Sequence, residues 1–135
     1  MVAAIFASLA IAQKIQDKDV PVEVKTTFEK LYPNTKKIKW EKEQDHYEAS
    51  FDLNKVDHSV LFDAKGNVLE TEIEIEMKDL PKGVLEYIKA NYAGKKVKEA
   101  AKITDDKGVV TYEAEIKGID LLFDESGKFI KETKE

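Results

Sequence analysis

HYEASFDLNKVDHSVLFDAKG, residues 46–66, and TYEAEIKGIDLLFDESG, residues 111–127, are two versions of one pattern. Tyr47-Glu48-Ala49 returns as Tyr112-Glu113-Ala114, and Phe62-Asp63-Ala64-Lys65-Gly66 returns as Phe123-Asp124-Glu125-Ser126-Gly127. In each stretch apolar and polar residues alternate with a period of two, pause at a short polar connection and resume, which is the pattern of a half-buried β-hairpin. The connection is Asn54-Lys55 in the first stretch, whereas Lys117-Gly118 reads as a shorter replacement for Leu53 to Val56 in the second. The Asp-x-x-Gly end of each stretch is turn chemistry, with glycine placed to take a positive φ. It lacks the further oxygen ligands and distant glutamate of a calcium loop.

The repetition extends outward on both sides. Val20-Pro21 returns as Leu80-Pro81, and Tyr32 as Tyr92. Val20, Val24, Phe28 and Leu31 fall on one helical stripe, as do Val84, Ile88 and Tyr92, with Pro33-Asn34 and Ala93-Gly94 as stops. Proline suits the helix start because its missing N–H would be unpaired there. Ile38 and Trp40 precede the first hairpin on a strand, and Leu69, Ile73 and Ile75 follow it on another, while Val97 to Ile103 and Lys128 to about Thr133 hold the same places in the second copy. The expected fold class is therefore α+β: two tandem α-β-β-β-β repeats, residues 20–79 and 80–135, forming an antiparallel sheet of about eight strands with two helices on one face. A unit of roughly 55 to 60 residues is at the lower limit for burying its own core, so the two repeats are expected to form one domain around a shared core. Trp40 is expected under the first helix.

Composition narrows the class of function. The chain has 135 residues, with 27 acidic against 22 basic and a net charge of −5. Every basic residue is lysine, so bidentate guanidinium contacts to bases or phosphates are unavailable, and the field repels a polyanion. Nucleic acid is not an expected partner. Without cysteine there is neither a disulfide nor a thiolate metal site. No apolar run reaches the roughly 18 to 20 residues of a membrane span. Met1 to Ala12 is uncharged and ends in Ala10-Ile11-Ala12, a small-x-small cleavage pattern, so residues 1–12 read as a signal peptide and Gln13 to Asp19 as a flexible lead-in.

The helix that opens after proline and ends in Tyr32-Pro33 or Tyr92-Ala93, the Tyr-Glu-Ala strand and the Phe-Asp-x-x-Gly hairpin together resemble the PepSY-like family of exported bacterial proteins, described as β-lactamase-inhibitor-like. The likeness covers Val20 to Glu135. It implies a periplasmic or secreted location and a tandem fold resembling the β-lactamase inhibitory protein, whose concave sheet grips an enzyme. It transfers no catalytic motif.

The sheet face opposite the helices is where function is expected. The Asn54-Lys55 turn fixes a register that sets Phe51 against His58 toward the helix and turns His46 away, so the two histidines cannot share a metal. Ser50, Ser59 and Ser126 have no base and no strand-to-helix elbow, so no nucleophilic triad is expected and the chain reads as a non-enzyme. The register opposes Asp52 to Asp57 and Glu115 to Asp120; these four are the candidates for a cation site, against the simpler reading that they splay into water near hairpin ends. Glu70, Glu72, Glu74 and Glu76 alternate along one strand, which also guards against edge-to-edge pairing. Leu61 and Leu122 point away from the helices, and if Leu69 and Ile130 are the inward members of their doublets, Val68 and Phe129 join them as apolar islands among charges. The candidate binding surface is Glu48, Ser50, Leu61, Val68, Glu70, Glu72, Glu113, Glu115, Leu122 and Phe129. The expected function is an exported, non-catalytic module that binds a protein or peptide of the cell envelope, with no cofactor. The alternatives are a small-ligand or cation carrier using the acidic face, and a structural piece of an envelope assembly.

Overall fold

The computed structural model describes residues 12–134. The signal-peptide reading of residues 1–12 therefore lies, but for Ala12, outside the described residues. The fold is α+β, with two α-helices and nine strands among the described residues, where about eight strands were expected. The additional strand is β1, Gln13–Ile15, which pairs antiparallel with β2, Lys39–Glu43, and sets Ile15 beside Trp40. The segment expected as a lead-in thus carries a strand and a single 3-10 turn, Asp17–Asp19.

Two compact units divide the chain, with the boundary after Thr71. In the first, α1, Val22–Leu31, is followed by β2, β3 at His46–Leu53, β4 at Val56–Asp63 and the opening of β5, Val68–Ile75. In the second, a 3-10 turn at Met77–Asp79 leads into α2, Lys82–Asn91, then β6 at Glu99–Asp105, β7 at Val110–Ile116, β8 at Ile119–Asp124 and β9 at Phe129–Lys134. Strands that follow one another within a unit are antiparallel neighbours. Pro21 and Pro81 sit at the cap position with φ near −54° and −55°, already fixed for entry into a helix.

Each unit has its own core. Val24 and Phe28 of α1 pack on Trp40, Ala49, Phe51, Val60 and Phe62. Val84 and Ile88 of α2 pack on Ala100, Ala114, Ile116, Leu121 and Phe123. The two clusters have no member in common. The reason is geometric: one ten-residue helix is long enough to cover one face of the strands in its own repeat.

Both central hairpins turn on two residues. Leu53 opposes Val56 across Asn54 and Lys55, whose φ values of 55° and 67° match the turn that best fits the strand twist. Ile116 opposes Ile119 across Lys117-Gly118, so the second connection is equal in length to the first rather than shorter. A second correction concerns the doublets. A bulge shifts the β8–β9 register between Leu122 and Phe123, so that Phe123 opposes Phe129 while Leu122 opposes Lys131. Phe129 consequently stacks on Tyr87 at 4.7 Å beside the second core, and Ile130 is exposed. Val68 likewise packs against the first core. Val68 and Phe129 are therefore the inward members; at Phe129 this follows from the bulge, which adds one residue to the strand and inverts the parity beyond it.

Candidate functional site on the strand faces opposite the helices

In the first unit the register places Glu41, Glu48 and Leu61 in one cross-strand row, with Lys39, Ser50 and Ser59 in the next row on that face. These side chains alternate with Trp40, Ala49 and Val60, which belong to the core, so they point away from α1. The Glu48 carboxyl is pushed up to about 7, first by burial and then by Glu41, Glu43 and Glu70, against the hydrogen bond that Ser50 Oγ donates to Glu48 Oε1 at 3.3 Å. A carboxylic acid in this state changes charge near neutral pH.

The second unit repeats the row as Ala101, Glu113 and Leu122, flanked by a row of Glu99, Glu115 and Asp120. Here Ala101, Ile103, Glu113 and Asp120 are all buried, although Ala101 and Ile103 belong to neither core cluster. In the first unit Leu61, at 6% exposure, is in the same position. The expectation that Leu61 stands in water is thus corrected. Leu122 and Glu115 are half-buried. Ile75 packs toward the second core, so Glu72 and Glu74 take the opposite parity on β5, and Glu72 is buried at 3% exposure. Of the candidate residues, Glu48, Ser50, Leu61, Glu113, Glu115 and Leu122 lie on the face of their own unit turned away from α1 or α2, while Val68 and Phe129 pack against the cores.

The acidic pairs stand where the register set them, Asp52 against Asp57 and Glu115 against Asp120. Asp52 Oδ1 accepts the Lys55 N–H at 2.8 Å, which makes it a turn residue. Among the described residues no group of three or more histidine, cysteine or acidic side chains could hold a metal ion. His58 stacks on Phe51 at 5.5 Å, and desolvation lowers its pKa, while His46 is exposed. Glu41, Ala101 and Ile103 complete the face and were not singled out in the sequence. Strand parity alone marks them, and the low β preference of Glu99-Ala100-Ala101 obscured it.

This architecture is that of a known family. The model of the PepSY-like, β-lactamase-inhibitor-like family matches residues 10–70 and again 53–131, and the chain belongs to that family. Comparison with curated proteins finds no match. Among solved structures, a periplasmic protein of Bacteroides eggerthii superposes with a TM-score of 0.75 at 17% identity, covering 85% of this chain and 88% of that one. A DUF2874 family protein of Bacteroides uniformis gives 0.73 at 22% identity, with 84% and 88% covered. A protein of Bacteroides fragilis described as BLIP-like gives 0.65 at 27% identity, with 84% and 86% covered. No helix among the described residues is long and apolar enough to cross a membrane.

Proposed function

We propose that this chain is an exported, non-catalytic binding module in which the strand face turned away from the helix of each unit recognises a lysine- or arginine-bearing segment of a protein or peptide. The observation that carries the reading is that each unit keeps partly exposed carboxylates on this face, Glu41 and Glu48 in the first and Glu115 one row from the half-buried Leu122 in the second. A carboxylate next to an apolar side chain suits a basic residue, whose ammonium head takes the charge while its methylene stem lies on the leucine. Glu41, Glu48 and Ser50 in the first unit, and Glu115 and Leu122 in the second, retain partial exposure, and each set would make contacts on its own unit. Membership of an inhibitor-like family supports a binding role, and the partner is defined only by this chemistry.

The test is capture from an envelope extract by the wild-type chain and by Glu48→Lys and Glu115→Lys variants. The reading expects capture that weakens with salt and falls with either reversal, because contacts between exposed charges are screened. Capture unchanged in both variants would remove the sheet face as the site.

A further inference from the structure

A second location, on the helix side and independent of the sheet face, carries its own chemistry. In the second unit a groove of about 340 Å³ runs between the Met77–Asp79 turn, α2 and the segment leading into β6. Its apolar lining is Met77, Leu85, Ile88 and Val97; Met77 and Leu85 stand 46% and 45% exposed at its mouth. Lys89, Gly94, Lys95 and Lys96 complete the lining, and no acidic side chain takes part in it. Among the described residues none of these three lysines joins an ion pair. An apolar slot rimmed by cations is thus built into a chain of net charge −5.

The duplication supplies a comparison. The first unit has a groove of about 350 Å³ at the same place, lined by residues sixty positions earlier: Asp17 for Met77, Lys25 for Leu85, Phe28 for Ile88 and Glu29 for Lys89. There Lys25 Nζ meets Asp17 Oδ2 at 2.9 Å, so its charge is compensated within the groove wall. The two copies keep the cavity and differ in its polarity. One lysine in the last turn of a helix is accounted for by the roughly half negative charge at a helix C-terminus. Lys95 and Lys96 lie beyond that turn, and their charge exceeds what the dipole would attract.

We infer that the α2 groove binds a small amphiphilic anion, a fatty carboxylate whose tail lies along Leu85 and Ile88 and whose head meets Lys89, Lys95 and Lys96. Its volume is at the lower end of the roughly 300–1,000 Å³ of ligand pockets, which selects a short acyl chain. Affinity then grows with tail length by at most roughly fourfold per methylene, the value for full burial.

Calorimetric titration of the whole chain with octanoate, decanoate and octanol, each below its aggregation threshold, tests this. The expected result is one saturable site that prefers decanoate to octanoate, and octanoate to octanol. The double variant Lys95→Glu/Lys96→Glu should weaken octanoate by about tenfold or more, since two contacts become repulsive. Leu85→Ser, at an exposed position, should weaken all three ligands, and Lys36→Glu in the first copy should change nothing. Absence of a saturable site, octanol binding as tightly as octanoate, or equal loss from Lys36→Glu would each overturn the assignment.

Discussion

Gly66 shows how one residue can hold a repeat together. Its φ is +86°, and a Cβ there would stand 2.5 Å from the Glu23 backbone oxygen in α1. Asp63 fixes the same turn, its Oδ1 accepting the N–H groups of Lys65 and Asn67 at 2.9 Å each. Asp124 and Asp105 build the same turn ahead of Gly127 and Gly108. Gly108 has a φ of +83° with nothing within 4 Å of an added Cβ, so the pair separates strain from collision. Gly108→Ala is expected to cost about 1 kcal/mol, from the left-handed backbone alone. Gly66→Ala should cost about 2 to 4 kcal/mol, because the helix backbone must also yield. Urea unfolding of both variants decides, and equal costs would show that the contact with α1 is not what the glycine serves. Glu48 gives a second expectation at this scale. Its folded pKa of about 7 lies above the ordinary 4.5, so its contribution to stability is full below about pH 4.5 and is lost as pH rises through about 7. Glu48→Gln should therefore gain on the wild type between pH 4 and pH 8, by an amount of the order of 1 to 3 kcal/mol, given about 1.4 kcal/mol per pKa unit. The difference between the two proteins must itself change with pH; a constant difference would mean that Glu48 titrates in the folded chain as it does in the unfolded one.

At the scale of elements, what could be read from the sequence depended on how local the signal was. The helices, the hairpin pair and the register Phe51 against His58 were legible because proline, the Asn54-Lys55 turn and strict alternation each act within a few residues. Val68 and Phe129 differ from the reading because either member of Val68-Leu69 or Phe129-Ile130 could fill the inner position by composition; a bulge, which leaves no compositional mark, chooses Phe129, and packing on the first core chooses Val68. β1 was missed for a related reason, since three residues such as Gln13–Ile15 cannot display a period and gain their order by pairing with β2. The face opposite the helices was legible in parity but not in burial. Leu61 and Leu122 do point away from the helices of their units, yet Leu61 is buried, which alternation cannot reveal. Trp40 was placed correctly under α1: it is 3% exposed and meets the Phe28 ring edge-on at 5.6 Å. Trp40→Ala should accordingly cost about 3 to 5 kcal/mol. Chemical denaturation followed by circular dichroism measures it, and a loss below about 1 kcal/mol would mean that the helix–strand contact in this repeat is loose.

For the whole molecule the consequence of duplication is two cores rather than one. Val20 through Phe62 supply the first cluster and Leu80 through Phe123 the second, with the equivalent phenylalanines Phe62 and Phe123 each fully buried. A chain of this kind can diversify one copy while the other keeps its packing, as the two helix-side grooves do with opposite polarity. Independence of the cores has a thermodynamic signature, because substitutions without shared partners add while substitutions in one packed cluster do not. Phe62→Leu and Phe123→Leu are each expected to destabilise by about 1 to 2 kcal/mol, since the volume change is modest and both rings are enclosed. The double variant should equal their sum to within about 0.5 kcal/mol. A same-core control, Phe62→Leu with Phe28→Leu, should depart from additivity, because both residues belong to the first cluster. Denaturant unfolding of the single and double variants closes both cycles. A coupling of about 1 kcal/mol or more between Phe62 and Phe123 would show that the repeats stabilise each other through their cores, as the small size of each unit would otherwise suggest.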